Sequence, residues 1–334
     1  MIAAKLEPGD EVRVVSPAVS LGFIQEDQRL LAGERLEALG LSCTFSTNAE
    51  VLDRFDSSPV DARVSDLQEA FVDPGVAGIL TTLGGYNSNG LLGYLDYELI
   101  RDNPKMFCGF SDITALATAI YAKTGLVTYS GPHFSTFGMK RGIEYTTEYF
   151  KRCLMREEPF DVLPADHWSD DPWYQNQEDR DFVPNPGHEV IHEGEAEGKL
   201  LGGNLGTLSL VFGTPFMPNL EDSVLFLEDD EEMKAVHFDW LLQSLIHQPG
   251  FEAVRGIAIG RFQRASEMDL DTLTAVIESK RELDHLPVVA NASFGHTTPQ
   301  FTFPIVGYGR LRAGDGIASL SIDVHLTRSG SRNG

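Results

Sequence analysis

The sequence predicts an α/β fold with a parallel sheet in its N-terminal half. Short β-branched runs alternate there with amphipathic stretches, which is the pattern of consecutive βαβ units. One of these runs, VAGILTTL at residues 76–83, is largely apolar, as expected of a strand that is covered on both faces. The length of 334 residues suits either one large α/β unit or two domains of ordinary size.

The elements of the first half follow in a regular order. The first strand is predicted at residues 11–15, and the first helix at residues 25–39. Gly40 follows this helix, at the point where a helix C-terminus favours a residue that tolerates positive φ. Further strands are predicted at residues 41–45, 76–83 and 105–109, and further helices at residues 60–71 and 113–123.

A polar segment separates the two halves. Residues 157–198 are rich in Asp, Pro and Asn and show no sustained period, which predicts a linker or a functional loop. A disordered spacer is the alternative, but Trp168 and Trp173 weaken it because aromatic residues are scarce in disordered segments. We therefore predict three units: an N-terminal α/β domain at residues 1–155, a linker and substrate loop at residues 156–195, and a C-terminal domain at residues 196–334.

The second half also alternates strands and helices. In one helix, apolar residues recur at i, i+3, i+4 and i+7 and predict one buried face: Phe238, Leu241, Leu242 and Leu245. Strands are predicted at residues 224–227, 257–262 and 287–291, and helices at residues 234–248 and 270–283. Residues 301–324 alternate as hairpins do.

The composition excludes several kinds of partner. Acidic residues outnumber basic residues by 50 to 26, and the formal net charge is −24, so no broad cationic face is available for a nucleic acid polymer or anionic lipid. Cys43, Cys108 and Cys153 lack the spacing of a zinc site and disfavour a disulfide scaffold. The N-terminus lacks the features of a signal peptide, and no apolar run approaches the roughly 18 residues of a membrane span. We expect a cytoplasmic protein without a membrane partner.

Ser111 lies between a predicted strand and a predicted helix. A sharp strand-to-helix turn holds a serine hydroxyl clear of the sheet and beside a helix N-terminus, where free N–H groups favour negative charge. Ile113 replaces the second glycine of the GxSxG pattern, so the match is incomplete. Ser111 is a candidate nucleophile, and the alternative is that Ser111 or Asp112 only caps the helix.

A serine nucleophile needs a base, and the base needs an orienting carboxylate. Among nine histidines, His296 stands in a loop soon after a predicted strand, and His133 is its rival. A hydrogen-bonded loop histidine is the plain alternative for His296. Glu228 is the first acid after the strand at residues 224–227, so rigid backbone holds it, whereas the acids that follow suit a solvated face. The candidate triad is Ser111, Glu228 and His296.

Two glycine-bearing turns are candidates for contact with a ligand. The paired glycines that end at Gly85 follow a buried strand, and the Gly85 N–H would join that of Asp112 in an oxyanion hole. This segment lacks GxGxxG spacing and the Walker lysine, which disfavours a phosphate loop. The GGN sequence that ends at Asn204 forms either a pocket wall that contacts substrate or a plain tight turn.

Six motifs follow one another from about residue 6 to residue 305. They are LEPGDEVRVVSPA, LTTLGGYNSNGLLGYLDYELI, GFSDITAL, EGKLLGGNLGTL, LFLEDDEE and FGHTTPQFTFPI. Their order resembles the serine LD-carboxypeptidase family, and more narrowly its branch of microcin C self-immunity proteins. The resemblance implies a flavodoxin-like or amidotransferase-like N-terminal domain with a parallel sheet, a smaller β-rich α/β C-terminal domain, and a cytoplasmic homodimer. It implies no metal and no organic cofactor.

The same resemblance assigns the Ser-Glu-His triad to Ser111, Glu228 and His296. It places the oxyanion hole at the backbone of Gly85 and Asp112. The implied activity is that of a serine carboxypeptidase or amidase, which hydrolyses an amide bond through an acyl-enzyme. The implied partner is a small peptide or a peptidyl-nucleotide.

The two branches of the family imply two substrates. The microcin branch cuts the amide that joins an aminoacyl or peptidyl group to a modified nucleotide, which gives self-immunity or detoxification, whereas the cell-wall recycling branch removes terminal D-alanine from muropeptides. Tyr86, Asn87 and the loop with Trp168 and Trp173 favour the first substrate, because an aromatic ring can stack on a nucleobase. Packing of these tryptophans onto the domains is the alternative. Leu83 differs from the Arg that recycling enzymes often have before the paired glycines.

Two other classes of function stay open. A non-catalytic ligand-binding protein on the same scaffold would use Ser111 only as a helix cap. A nucleotide-dependent or dinucleotide-dependent enzyme is disfavoured by the missing phosphate-loop spacing.

Overall fold

The computed structural model of the chain describes residues 1–325 and contains two large sheets. One sheet has six strands and the other has eight, and a pair of short strands completes the β-structure of this part of the chain. The predicted fold class is confirmed, because a parallel sheet forms the N-terminal half and a β-rich α/β unit forms the second half. Residues 326–334 of the predicted C-terminal domain lie outside the described residues.

The six-stranded sheet is parallel except at one edge. Its strands, numbered in chain order, are β1 (Glu11–Val15), β2 (Ser42–Phe45), β3 (Val76–Thr81), β4 (Met106–Cys108), β5 (Thr128–Ser130) and β14 (Phe303–Ile305). Their spatial order is β14-β5-β4-β3-β1-β2, and only β14 runs antiparallel to its neighbour. Ile79 and Leu80 point to opposite faces of β3 and are both fully buried, so both faces of the sheet are covered as predicted.

Five helices accompany this sheet. They are α1 (Glu26–Ala38), α2 (Val60–Val72), α3 (Tyr97–Asp102), α4 (Ile113–Thr124) and α5 (Glu144–Leu154). Gly125 follows helix α4, and its φ of 75° is the left-handed conformation that favours glycine after a helix. Helices α3 and α5 and strand β5 were not predicted from the sequence. No helix within residues 1–325 has the length and apolar character needed to cross a membrane.

The eight-stranded sheet has four parallel strands at its centre. Its strands are β6 (Phe160–Val162), β9 (Glu189–His192), β10 (Gly194–Asn204), β11 (Ser223–Glu228), β12 (Gly256–Gly260), β13 (Val288–Ala292), β15 (Tyr308–Gly314) and β16 (Ile317–Val324). Their order is β6-β16-β15-β10-β11-β12-β13-β9, in which β10 to β13 are parallel. The parallel strands are connected by α6 (Leu205–Ser209), α7 (Ala235–Ile246) and α8 (Leu270–Glu278). Strands β15 and β16 form the predicted hairpin.

The predicted linker and substrate loop at residues 156–195 contains four short strands. Strand β6 pairs with β16 and β9 pairs with β13, so the segment supplies both edge strands of the eight-stranded sheet. Between them, β7 (His167–Trp168) pairs with β8 (Val183–Pro184). Strands of three and four residues are too short to show a hydrophobic period, so these edge strands could not be predicted from the sequence. The unit boundaries at residues 155 and 196 stay a prediction.

Two contacts join the N-terminal and C-terminal halves of the chain near the candidate residues Ser111 and His296. Strand β14, which was predicted as part of a hairpin, crosses back to pair with β5 shortly after the loop that carries His296. The GGN sequence is the end of β10 rather than a tight turn. A Cβ on Gly203, whose φ is 132°, would lie 2.6 Å from Thr114 Oγ1, so glycine allows β10 to pack against α4. Asn204 N donates to the same Thr114 Oγ1 at 3.2 Å.

Candidate active site

Ser111 lies on a sharp turn between β4 and α4. Its φ of 59° is a left-handed conformation that serine rarely adopts and that is typical of a strained strand-to-helix turn. The turn is crowded, because a Cβ on Gly84 would lie 2.9 Å from Ser111 Cβ and a Cβ on Gly109 would lie 2.3 Å from Thr81 Oγ1. Glycine at both positions allows the turn to pack closely at the carboxyl ends of β3 and β4.

His296 connects Ser111 to Glu228. His296 Nε2 lies 3.0 Å from Ser111 Oγ, and His296 Nδ1 lies 2.7 Å from Glu228 Oε2. Because a carboxylate only accepts hydrogen bonds, Nδ1–H donates to Glu228, and Nε2 of the neutral imidazole accepts from the Ser111 hydroxyl. The structure thus brings together the three residues of the candidate triad, from two different sheets.

Glu228 is held on two sides by backbone. It is the last residue of β11 and is 2% exposed. A Cβ on Gly260 would lie 2.8 Å from Glu228 Cβ, and a Cβ on Gly295 would lie 2.5 Å from Glu228 Oε2. This close approach fixes the carboxylate in the orientation that faces His296.

The charge near His296 favours its protonated form. Burial lowers the pKa of the imidazole, but the charge of Glu228 and the hydrogen bond to it outweigh burial and raise the pKa of His296 to about 9. The charges of Asp230 and Asp229 act in the same direction. An imidazolium at this position is therefore stabilised.

Asp229 is buried, whereas the sequence predicts a solvated face for the acidic run that follows Glu228. It is 1% exposed, and burial, followed by the charges of Glu228 and Asp230, raises its pKa to about 7. Its carboxylate accepts hydrogen bonds from Asn204 Nδ2 and from Gly206 N, both at 3.0 Å. Its position directly after Glu228 at a strand end was the signal that could have identified it.

The side chain of Asn204 is engaged within the protein. Its Nδ2 donates to Asp229, and its Oδ1 accepts from Thr207 N at 2.8 Å, which caps α6. Asn204 is 4% exposed. Its contact with substrate stays a prediction.

Gly85 and Asp112 follow the neighbouring strands β3 and β4. Gly85 has a φ of 148°, and a Cβ there would lie 2.9 Å from Val19 Cγ2. Ser88 joins the two segments, because Ser88 N donates to Asp112 Oδ2 at 2.8 Å and Ser88 Oγ–H donates to the Asp112 carbonyl at 2.7 Å. The loop that follows Gly85 is thereby held against the Ser111 turn. The oxyanion role of the two amides stays a prediction.

A cavity of about 450 Å³ opens beside His296. Residues 170–175 of the polar segment form one wall, so Trp173 and part of the predicted substrate loop reach this cavity. Residues 230–232 contribute carboxylates to its rim, and Phe110 and His133 line it near Ser111. Within the described part of the chain, no Lys or Arg is among the lining residues.

Three other predicted substrate contacts lie elsewhere in the described structure. Tyr86 is 60% exposed, and its hydroxyl donates to the Phe55 carbonyl at 3.3 Å. Asn87 Oδ1 accepts from Arg63 Nη1 at 2.9 Å. Trp168 lines a neighbouring cavity of about 470 Å³. The substrate contacts of Tyr86, Asn87 and Trp168 stay predictions.

Trp168 packs against two arginines. The guanidinium carbons of Arg261 and Arg264 lie 4.8 Å and 4.7 Å from the centroid of its ring, which is cation–π geometry. These contacts favour the packing alternative for Trp168, whereas Trp173 lies on the wall of the cavity beside His296.

Phe110 is a site residue that the sequence analysis did not single out. Its ring stacks on His133 with centroids 4.4 Å apart and lies 5.3 Å from the His296 ring. Its position directly before Ser111 in the sequence could have identified Phe110 as a site residue.

His296, and not its rival His133, is paired with Ser111. His133 Nδ1 instead forms a hydrogen bond of 2.7 Å with Thr81 Oγ1. No group of three or more His, Cys, Asp or Glu side chains within residues 1–325 is arranged to hold a metal ion.

Two family models match the two halves of the chain. The model described as the LD-carboxypeptidase N-terminal domain of peptidase S66 matches residues 12–131. The model described as the LD-carboxypeptidase C-terminal domain matches residues 197–311.

Several curated proteins are similar over nearly the whole chain. YocD of Bacillus subtilis, whose name describes a carboxypeptidase, is 53% identical over 326 residues, covering 97% of this chain and all of YocD. The microcin C7 self-immunity protein MccF of Escherichia coli is 30% identical over 318 residues, covering 91% of each chain. A Bacillus subtilis protein named as a murein peptide carboxypeptidase is also 30% identical, over 90% of this chain and 88% of that protein.

Solved structures agree with these relatives. The MccF-like protein from Bacillus anthracis superposes with a TM-score of 0.96 at 55% identity and covers 97% of this chain and 100% of its own. MccF in complex with aspartyl sulfamoyl adenosine superposes with a TM-score of 0.88 at 28% identity, over 98% of this chain and 100% of its own. The chain therefore belongs to the LD-carboxypeptidase family, peptidase S66, and is a serine-type carboxypeptidase, a hydrolase of peptide or amide bonds.

Proposed function

We propose that this hydrolase uses Ser111 as nucleophile, His296 as general base and Glu228 as the carboxylate that orients His296. The observation that carries the proposal is the hydrogen-bonded series from Ser111 Oγ through His296 to Glu228 Oε2. An imidazole placed between a hydroxyl and a buried carboxylate is the arrangement that activates serine for attack on a carbonyl. The backbone N–H groups of Gly85 and Asp112 form the oxyanion hole in this proposal.

The reaction begins when Ser111 Oγ attacks the amide carbonyl and His296 Nε2 accepts the hydroxyl proton. The carbonyl oxygen becomes an oxyanion, which accepts hydrogen bonds from Gly85 N–H and Asp112 N–H. His296 then gives its proton to the leaving nitrogen, the C–N bond breaks, and an ester of Ser111 remains. Water attacks this ester while His296 accepts its proton, and the return of that proton to Ser111 Oγ releases the acid.

An aminoacyl- or peptidyl-nucleotide conjugate of the microcin C type is the proposed substrate, and its cleavage would give self-immunity or detoxification. No Lys or Arg of the described chain lines the cavity, and Leu83 contributes an apolar side chain where recycling enzymes often have Arg, so this feature of the recycling branch is missing. The Trp173 ring on the cavity wall offers a surface for a nucleobase. Solved complexes of MccF with aspartyl sulfamoyl adenosine and glutamyl sulfamoyl guanosine support this class.

Removal of terminal D-alanine from muropeptides is the second candidate function. The relative named as a murein peptide carboxypeptidase is 30% identical to this chain, the same identity as MccF. Sequence similarity alone therefore supports both substrates equally, and the choice between them rests on the cavity lining.

A panel of substrates distinguishes these candidates. Purified protein is incubated separately with aspartyl sulfamoyl adenosine, glutamyl sulfamoyl guanosine and a muropeptide tetrapeptide, and the products are measured by mass spectrometry. We expect release of the free amino acid and the sulfamoyl nucleoside, with no release of D-alanine. Cleavage of the tetrapeptide alone would replace the first candidate by the second. Cleavage of none, together with a Ser111 that does not react with a fluorophosphonate, would favour a non-catalytic binding protein.

Hydrolysis is expected to rise with pH through the ionisation of His296. The imidazole must be neutral to accept the Ser111 proton, and its pKa is raised to about 9, so the active fraction grows about tenfold per pH unit below that value. The dependence of kcat/KM on pH measures this ionisation in the free enzyme. A profile that is already flat above pH 6.5, the ordinary pKa of histidine, would contradict the raised value.

Gly295→Ala is expected to disturb the pair of Glu228 and His296. Gly295 has a φ of 97°, and the new methyl group would meet Glu228 Oε2 at 2.5 Å. Because such strain costs about 1–3 kcal/mol, the Tm should fall, and hydrolysis should fall by about tenfold or more. Thermal unfolding and kcat/KM measure the two effects.

Gly33→Ala is the matched control for this variant. Gly33 lies in α1, and a Cβ there meets no atom within 4 Å outside the helix's own backbone, so kcat/KM should stay at the wild-type level. The Tm should not fall, because alanine is favoured over glycine inside a helix by roughly 1 kcal/mol. A Gly295→Ala protein that matched this control would contradict the packing described around Glu228.

A cytoplasmic homodimer is also part of the proposal. Val236 and Trp240 are four residues apart on α7 and are 49% and 60% exposed, so they present an apolar face that a second copy of the chain would cover. Light scattering during gel filtration should give twice the chain mass of 36.8 kDa. A mass of one chain would overturn the dimer and leave the triad proposal unchanged.

A further inference from the structure

His133 is a buried imidazole on the cavity wall, and the proposed mechanism does not use it. It is 1% exposed and lines the cavity beside His296. Its Nδ1 forms the hydrogen bond with Thr81 Oγ1, whereas its Nε2 has no hydrogen-bond partner within the described residues. Buried polar atoms are nearly always paired, so an unpaired nitrogen on the wall of a cavity indicates a partner that arrives from the cavity.

His133 Nε2 borders the same space as the nucleophile. The Cβ position built on Gly84 lies 3.0 Å from Ser111 Oγ and 3.5 Å from His133 Nε2, so these two atoms lie close to each other, and Nε2 itself is buried. The ring of His133 is fixed there by stacking on Phe110 and by the bond to Thr81. Nε2 is therefore held next to the place where a scissile carbonyl meets Ser111 Oγ.

His133 is an uncharged hydrogen-bonding group. Burial, together with the charge of His296, lowers the pKa of His133 to about 3, so the imidazole is neutral throughout the working range of pH. A neutral ring offers a single N–H or a single lone pair at Nε2. It can bind a polar atom of a substrate without adding charge to a cavity that holds carboxylates and no Lys or Arg among its described lining residues.

We propose that His133 Nε2 forms a hydrogen bond with the aminoacyl part of the bound conjugate, at a polar atom that flanks the scissile carbonyl. The inference rests on the proposed function, because it takes Ser111 as the nucleophile and an aminoacyl-nucleotide conjugate as substrate. In this role His133 holds the substrate for attack and exchanges no proton with it. Binding of the substrate supplies the partner that the buried nitrogen otherwise lacks.

Two replacements separate the two ends of the His133 ring. The amide of His133→Gln reaches the position of Nε2, whereas the amide of His133→Asn reaches the position of Nδ1 and leaves that of Nε2 empty. Both variants lose the stacking on Phe110, so they are matched controls for each other. With aspartyl sulfamoyl adenosine, we expect His133→Asn to lose roughly 10- to 100-fold in kcat/KM, mainly through a higher KM, which is the effect of one lost hydrogen bond. His133→Gln should keep most of the wild-type kcat/KM.

The rate at which a fluorophosphonate labels Ser111 measures the reactivity of the nucleophile independently of conjugate binding. We expect this rate to be unchanged in both variants. Wild-type kcat/KM in His133→Asn would overturn the proposal. Equal losses in both variants, accompanied by slower labelling, would overturn it too, because His133 would then only pack the site. A wild-type protein that is labelled but neither binds nor cleaves the conjugate would overturn the substrate contact. A wild-type protein that is not labelled would overturn the proposed function itself.

Discussion

Ser111→Ala is expected to reduce hydrolysis by several orders of magnitude while leaving the fold intact. The substitution removes the attacking oxygen, which lies 3.0 Å from His296 Nε2, but keeps the Cβ that packs in the turn. Loss of the nucleophile in a serine hydrolase costs about 10⁶-fold in kcat, because the base and the carboxylate act only through that oxygen. The measurement is kcat for the substrate that the panel identifies, together with the Tm.

Ser135→Ala is the matched control for the nucleophile. Ser135 lines the cavity beside His296 and is only 5% exposed. Its replacement by alanine therefore removes a buried hydroxyl from the wall of that cavity. We expect it to keep activity of the wild-type order. Hydrolysis by Ser111→Ala at a rate close to that of Ser135→Ala would remove Ser111 from the mechanism.

Glu228→Gln is expected to lower kcat by about 10³- to 10⁴-fold. The amide has the shape of the carboxylate, but it has no charge to stabilise the imidazolium, and its NH₂ group favours the wrong tautomer of His296. The pKa of His296 should fall from about 9 toward its ordinary value of 6.5, because the charge of Glu228 and the bond to it raise that pKa. The rising limb of the pH profile should therefore move to lower pH.

Glu232→Gln is the control for the loss of one negative charge near the cavity. Glu232 is exposed on the cavity rim, so its replacement should leave kcat and the pH profile near those of the wild type. If Glu228→Gln kept both the wild-type kcat and the wild-type pH profile, Glu228 would not be the carboxylate that orients His296.

The parts of the fold that could be predicted from sequence are those with strong local patterns. Strands β1, β3 and β11 and helices α1, α2 and α4 carry apolar runs or helical periodicity, and the structure places them within a few residues of the predicted bounds. Their order along the chain was enough to predict a parallel sheet.

The missed elements depend on contacts between distant parts of the chain. Strand β10 ends in the glycines of GGN, which weaken a strand pattern but allow close packing on Thr114 and β11. Strands β6 and β9 are edge strands of only three and four residues, and they form because β16 and β13 are there to pair with them. The crossing of β14 back to β5 joins residues 303–305 to residues 128–130, and local pattern carries no information about such a pairing.

The candidate triad could be predicted because each of its residues stands at or soon after a strand end, Ser111 in one sheet and Glu228 and His296 in the other. Which aromatic residue of the polar segment faces the cavity could not be predicted in this way. Trp173 lines it, whereas Trp168 packs against Arg261 and Arg264. Asp229 follows Glu228 directly, yet its burial depends on the tertiary contact with Asn204.

Identification of the residue that a fluorophosphonate modifies tests the central claim most directly. The labelled protein is weighed intact, digested and mapped by mass spectrometry, and Ser111→Ala and His296→Ala are treated in parallel. The proposed mechanism predicts a single adduct on Ser111, absent in Ser111→Ala and formed far more slowly in His296→Ala, which lacks the base. An adduct on another residue, or an unmodified wild-type protein, would contradict the assignment of Ser111 as the nucleophile.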